Sequence, residues 1–223
     1  MNHKLKDRKQ KIGLVLGGGG AKGAYQAGVL KALKEANILP YVTHVSANSI
    51  GSINALMVVD EKIEGCAEVW KTISKKDALK LKSKSEKGGI FSRKGLIKIL
   101  ENNIDFNHVS QSDKKLYITA FNKDTQKIEY FLANGKTKEE ILSYTLASSA
   151  IPYVYAPVKI GEHYYSDGFK DNVPVRVLKN AGCDVIIIIG LRPEYHPTPE
   201  ELEGISVIDF TPPYQLGTSR FDA

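Results

Sequence analysis

The chain has little of several things that would settle its class at once. Its 223 residues contain two cysteines, Cys66 and Cys183, too far apart and too isolated to form a disulfide framework or a metal-ligand spacing. They read as two free thiols in a reducing compartment. The longest aliphatic run, Val185 to Ile189, falls far short of the ~20 residues that a membrane-spanning helix needs. Near the start, the apolar stretch Ile12 to Leu16 is too short for a signal-peptide core, and no A-x-A-like site follows it. Internal repeats and long low-complexity linkers are also missing. These absences predict a cytoplasmic, soluble chain: a basic tail over 1–10, then a single domain over 11–223.

Hydrophobic residues make up 42% and charged residues 25%, an ordinary globular balance that argues against general disorder. The net charge of +6 is uneven. Between Lys71 and Lys98, ten basic residues face only two acids, Asp77 and Glu86. Such a run is usually a solvated surface. The sharper reading is peripheral contact with anionic membrane, at roughly 1 kcal/mol per basic side chain near the surface. Nucleic acid is disfavoured, because Lys71 to Lys87 offers no aromatic ring for base stacking.

The pattern along the chain alternates. "KIGLVLG" reads as a buried strand ended by glycines, and Ala24 to Ala36 repeats small and apolar residues at helical spacing. "YVTHVSA" reads as a short β-branched strand, and Ile50 to Val59 as a buried helix. Strand, glycine turn, helix, strand, sharp turn, helix implies a parallel sheet with crossover helices. Further helices are expected over Glu64–Ile73 and Lys94–Asn102, and "KLYITAF" and "KIEYFL" read as two strands joined near Lys123-Asp124. Thr137 to Glu140 has capping-box form, opening a helix to about Ser148. "VIIIIG", Val185 to Gly190, is a β-branched run that fits a strand in the sheet interior.

Two glycine-bearing stretches carry possible chemistry. "GGGGAKGAYQAG", Gly17 to Gly28, fails as a P-loop, since Lys22 lies between Ala21 and Gly23 rather than between Gly and Ser/Thr. It matches a dinucleotide fingerprint through Gly18, Gly20 and Gly23, but the acid expected after the next strand is absent. A tight structural turn and a cradle of backbone N–H groups for an anion, including an oxyanion, remain. "ANSIG", Ala47 to Gly51, is one glycine short of G-x-S-x-G, the strand-to-helix elbow of nucleophilic serines. Ser49 is therefore either a nucleophile or a serine capping a helix. None of the five histidines has the local signature of a triad base. In "YYSDGFKDNVPV", Asp167 before Gly168 could be a base or part of a structural Asp-Gly hairpin.

In combination, "GGGGAKG", "ANSIG" and "SDGFKDNVPV", with the serine–proline segment "LASSAIPYVYAPVKI" between the last two, resemble the patatin-like phospholipase family from about Lys11 to Phe210. The resemblance implies a three-layer α/β/α sandwich around a mainly parallel sheet, and a carboxylic ester hydrolase that cleaves fatty acyl esters of lipids. It implies a Ser–Asp dyad, with Ser49 as nucleophile and Asp167 as base. The oxyanion hole would lie in Gly18, Gly19 and Gly20, in the loop closed by Lys22 and Gly23. An acyl-enzyme is implied, and neither metal nor organic cofactor. Ala47 departs from the family's elbow glycine, which is tolerable at negative φ. Phe169 departs from the small residue common after Asp-Gly, and the sequence stops at "GTSRFDA", where relatives often add a helix. A carboxylate base should be poorly exposed and lack a cationic partner, so that its pKa rises. The rival readings are a nucleotide-binding module built on Gly18 to Gly23, and an inactive membrane-associated scaffold. Head-group preference and oligomeric state leave no trace in the sequence.

Overall fold

Ile12–Leu16 and Val185–Ile189 are almost wholly apolar because both sides of each are covered. In the computed structural model, which describes residues 10–65, 70 and 92–217, they form β1 and β7. The two run parallel, with Leu16 opposite Ile189. The other strands are β2 (Val42–Asn48), β3 (Lys115–Asn122), β4 (Ile128–Leu132), β5 (Val158–Ile160), β6 (His163–Asp167) and β8 (Ser206–Asp209). Together they make one eight-stranded sheet in the order β5-β6-β3-β2-β1-β7-β8, with β4 paired to β3. The run β3-β2-β1-β7-β8 is parallel, and β4, β5 and β6 join by antiparallel pairings.

Side chains alternate across a strand, so each central strand feeds two cores. Leu14, Leu16, Ile187 and Ile189 point to one face. There they meet Leu30 of α1 (Gly23–Glu35), Leu56 of α2 (Ile50–Val59), Leu100 of α3 (Lys94–Asn103) and Val109 of α4 (Phe106–Gln111). Ile141 of α5 (Lys138–Ser148) completes that layer. Val15, Ile186 and Ile188 point to the other face, against Val175 and Leu178 of α6 (Val175–Asn180). The result is helices on both sides of a mixed, centrally parallel sheet. The parallel centre with crossover helices is what the alternating sequence pattern predicts, and the three-layer sandwich is what the family resemblance implies.

Local signals hold where they are chemical. Thr137 and Glu140 close the expected capping box at the start of α5. A second box, Thr198 with Glu201, opens the short α7 (Pro199–Leu202), which the sequence reading missed. The short helix α4, which carries His108, is not expected from the sequence, and its first N–H groups are capped by Asp105. Six residues are too few for periodicity to reveal. The Asp167-Gly168 pair is not a hairpin turn, because Gly168 leads into a short 3-10 segment, Phe169–Asp171, on the way to α6.

Part of the helix expected from Glu64 to Ile73 lies outside the described residues, as do residues 71–91 of the basic segment Lys71 to Lys98. Of its described members, Arg93 is turned inward. Its guanidinium lies over the Tyr155 ring and donates to the Ala156 carbonyl, and burial lowers its pKa to about 10. Among the described residues, no helix is long and apolar enough to cross a membrane.

Candidate active site

Parallel neighbours send their following loops off the same sheet edge, which is where open α/β sheets bind ligands. The loop after β1 holds Gly17 to Gly20, the turn after β2 holds Ser49, and the loop after β7 holds Leu191 to Tyr195. The antiparallel β6 continues the edge of β3 that β2 leaves, so Asp167 opposite Ala120 follows directly on Asn48 opposite Thr119, while β4 holds the other edge. One cleft is lined by Gly18, Gly19, Gly20, Ser49 and Asp167, together with Ile151, Pro152, Phe169, Asn172, Arg192 and Tyr195. Residues 118 apart by the numbering, Ser49 and Asp167, therefore open into the same space.

Ser49 has φ 53 and ψ −124, a conformation that a non-glycine residue adopts only at a cost and under tertiary constraint. It occupies the N-cap position of α2, yet its side chain makes no capping hydrogen bond. The helix-cap reading of this serine thus fails on geometry. Its backbone is held by other groups. Its N–H donates to Ser148 Oγ at 2.8 Å, and its carbonyl accepts from Ser52 Oγ at 2.6 Å. Gly51 is needed because a Cβ there would sit 2.2 Å from the Leu16 carbonyl oxygen. Ala47 is a fully buried β2 residue and is not among those with positive φ, so the elbow loses nothing by its methyl group.

Asp167 is 5% exposed, which meets the expectation of a poorly solvated carboxylate. The three sequence motifs are joined by side-chain amides. Asn48 Nδ2 donates to Asn172 Oδ1 at 3.2 Å and, over a long 3.5 Å, to Asp167 Oδ1. Asn172 Nδ2 in turn donates to the Gly18 carbonyl at 3.1 Å. Gly168 allows this closeness, since its Cβ would meet Asn48 Oδ1 at 2.6 Å. The turn beyond it is anchored to β4 by a hydrogen bond from the Tyr130 hydroxyl to Asp171. Burial raises the Asp171 pKa, and burial next to that carboxylate raises the Tyr130 pKa strongly.

The glycine loop rests on a polar plug. Gln26, fully buried on α1, donates to the carbonyls of Gly17 and Ile189 at 2.8 and 2.9 Å and accepts from Asn54 Nδ2 at 2.9 Å. The Gly18 N–H is already engaged by the Asn172 carbonyl at 3.2 Å. The amides of Gly19 and Gly20 have no acceptor among the described residues, and Gly20 has φ +65, which favours glycine. Lys22 and Gly23 do not line the cleft. Lys22 is buried, and Gly23 lets α1 pack on Ile50 and Trp70. No histidine is among the described lining residues, and His108 is bound to Asp60 at 3.2 Å. Asn48, Gln26, Ser148, Asn172 and Arg192 escaped the sequence reading. Asn48 and Asn172 sat inside the quoted motifs, but a lone asparagine carries no signal until its partners are known.

Comparison with known proteins adds an independent line. The family model for patatin-like phospholipase matches residues 14–179. The chain is 31% identical over 184 residues to Neuropathy target esterase sws of Drosophila melanogaster, covering 80% of this chain and 13% of that protein. It is 28% identical over 202 residues to Lysophospholipase NTE1 of Coccidioides immitis, covering 85% of this chain and 12% of that one. The chain therefore spans about an eighth of the length of these relatives. Among solved structures, VipD from Legionella pneumophila superimposes with a TM-score of 0.58 at 14% identity, over 87% of this chain and 52% of that one. That likeness concerns the fold. With most of the sequence under one family model, and its motifs gathered at one sheet edge, the chain belongs to the patatin-like phospholipase family of hydrolases.

Proposed function

We propose that this chain hydrolyses fatty acyl esters of lipids through a Ser49–Asp167 dyad. Ser49 Oγ attacks the ester carbonyl carbon while Asp167 takes the hydroxyl proton, giving a tetrahedral intermediate. The negative oxygen is held by backbone amides of the glycine loop, of which those of Gly19 and Gly20 have no acceptor among the described residues. Collapse expels the alcohol, which recovers the proton from Asp167, and leaves an acyl-Ser49 ester. Water, deprotonated by Asp167, then releases the fatty acid and restores the serine.

The observation that carries this reading is the state of Ser49. The residue is held at φ 53 at a helix start, does not cap that helix, and opens into the cleft that Asp167 and the glycine loop also line. Strain retained at a site with no capping role is more economically explained by exposure of a reactive hydroxyl than by packing.

The test combines labelling by a fluorophosphonate with fatty acid release from phospholipid, lysophospholipid and a soluble p-nitrophenyl ester. Wild type should label and turn over, Ser49→Ala should do neither, and Asp167→Asn should lose turnover with its fold intact by circular dichroism. A wild type that neither labels nor releases acid, or an Asp167→Asn variant with full activity, would sink the dyad.

A further inference from the structure

The reaction above uses a serine, a carboxylate and backbone amides, and it has no task for a permanent positive charge. The cleft nevertheless contains one. Arg192 is the one cation among its described lining residues. The fold places it deliberately close to the ester chemistry. β7 runs parallel to β1 with Ile189 beside Leu16, so the two loops leave adjacent strand ends together. Leu191 packs on the glycine loop so tightly that a Cβ on Gly19 would lie 2.7 Å from the Leu191 Cβ. Arg192 is the next residue.

The guanidinium is positioned and yet not locked. It lies over the Tyr195 ring, 5.7 Å from the centroid, and Tyr195 itself lines the cleft. Its side chain is 17% exposed, while its carboxylate neighbour Glu194, at 3.4 Å, is 44% exposed. An ion pair this close to solvent contributes little and can be exchanged for a better anion. A planar guanidinium matches two oxygens of a phosphate and binds them bidentately. In a glycerophospholipid, the phosphate is joined to the acyl ester through the short glycerol unit. A carbonyl over the glycine loop therefore brings the phosphate to the neighbouring loop.

We infer that Arg192, backed by Tyr195, forms a headgroup subsite that binds the phosphate of a glycerophospholipid or lysophospholipid substrate. This inference rests on the lipid-ester reading of the same cleft, and its partner Glu194 acts as a stand-in anion when no lipid is bound. Arg192 is thus a specificity residue: it favours phosphate-bearing esters over neutral acylglycerols.

The test needs no turnover. Octylglycerol phosphate and octylglycerol, ether lipids that cannot be hydrolysed, are titrated calorimetrically into wild type, Arg192→Ala, Arg192→Lys and Glu194→Gln. Wild type should prefer the phosphate-bearing ether by roughly tenfold or more, the scale of one charge-assisted pair. Arg192→Ala should abolish that preference, and Arg192→Lys should retain only part of it. Glu194→Gln should strengthen it severalfold. In parallel, the ratio of kcat/KM for lysophosphatidic acid to that for monoacylglycerol should fall by the same factor in Arg192→Ala, through KM. An unchanged ratio in both assays would overturn the subsite, as would glycerol phosphate alone binding as tightly as the octyl ether. A phosphate preference that depends on Arg192 in a protein without esterase activity would support the subsite and refute the dyad instead.

Discussion

One methyl group, added at two glycines, should move stability in opposite directions. Gly28 lies exposed in the middle of α1, and a Cβ built there meets nothing within 4 Å. Gly28→Ala removes the backbone freedom of glycine from the unfolded chain and improves helix propensity, a gain of roughly 0.5–1 kcal/mol. Gly51 lies in the first turn of α2, where the same Cβ would fall 2.2 Å from the Leu16 oxygen, 2.7 Å from the Leu16 carbonyl carbon and 2.8 Å from the Gly17 oxygen. Close carbon–oxygen contacts in proteins stop at about 3.3 Å, so a shift of about 1 Å between α2 and the end of β1 is required. All three obstructing atoms are backbone, so no rotamer change relieves them. Over-packing of this kind costs roughly 1–3 kcal/mol, and more when main chain must move, against the same helix-propensity gain. Gly51→Ala should therefore be destabilised by about 2 kcal/mol net.

At about 2–4 °C per kcal/mol for a chain of this size, Gly51→Ala should melt roughly 4–8 °C below wild type and Gly28→Ala roughly 1–4 °C above it. Ser49 sits two residues before Gly51, so the displacement should also cost esterase activity, by about a hundredfold for a misplacement near 1 Å. Thermal unfolding and p-nitrophenyl ester hydrolysis read both effects on the same samples. A Gly51→Ala protein with wild-type melting and turnover would refute the account of why the elbow keeps this glycine. A Gly28→Ala protein that melts below wild type would refute the propensity argument.

Two other perturbations test the scaffold under the site. Gln26→Leu removes the side-chain donor to the Gly17 carbonyl, at roughly 1–3 kcal/mol for a buried group left unpaired, whereas the Ile189 carbonyl keeps the Gly17 N–H and Asn54 Nδ2 keeps the Gly23 carbonyl. It should unfold at a clearly lower urea concentration than wild type and lose kcat, and an unaffected kcat would dissociate this plug from the glycine loop. Asp171 has a folded pKa raised by burial above its unfolded value, so its ionised form costs stability above the folded pKa, and that cost disappears as pH falls through it. Asp171→Asn, which can still accept from Tyr130, should thus be at least as stable as wild type at neutral pH. Its advantage should shrink on acidification towards the unfolded carboxylate range, and an advantage that grows with falling pH would contradict the sign.

The parts of this protein that were legible in its sequence are those whose cause is local. β7 could be read because burial on both faces demands an unbroken apolar strand, and α5 because its capping box is a contact between residues three apart. The glycine loop, Ser49 and Asp167 could be named only because three ordered motifs together resemble one family; taken singly, Ser49 keeps a helix-cap reading and Asp167 a hairpin reading. The links between them could not be named. Asn48, Asn172 and Gln26 act across 124, 154 and 163 residues of chain, through amides whose identity is uninformative without the partner. Arg192 carries no local signal and reaches the cleft only because β7 runs beside β1. The sheet topology converts sequence-remote, individually bland residues into one cleft. On the function proposed above, motifs specify the groups that react, while topology selects the groups that hold them and, through Arg192, the headgroup they would meet. A fold-preserving change at Asn172 should therefore disturb the glycine loop and Asp167 together, because a single side-chain chain of hydrogen bonds spans both.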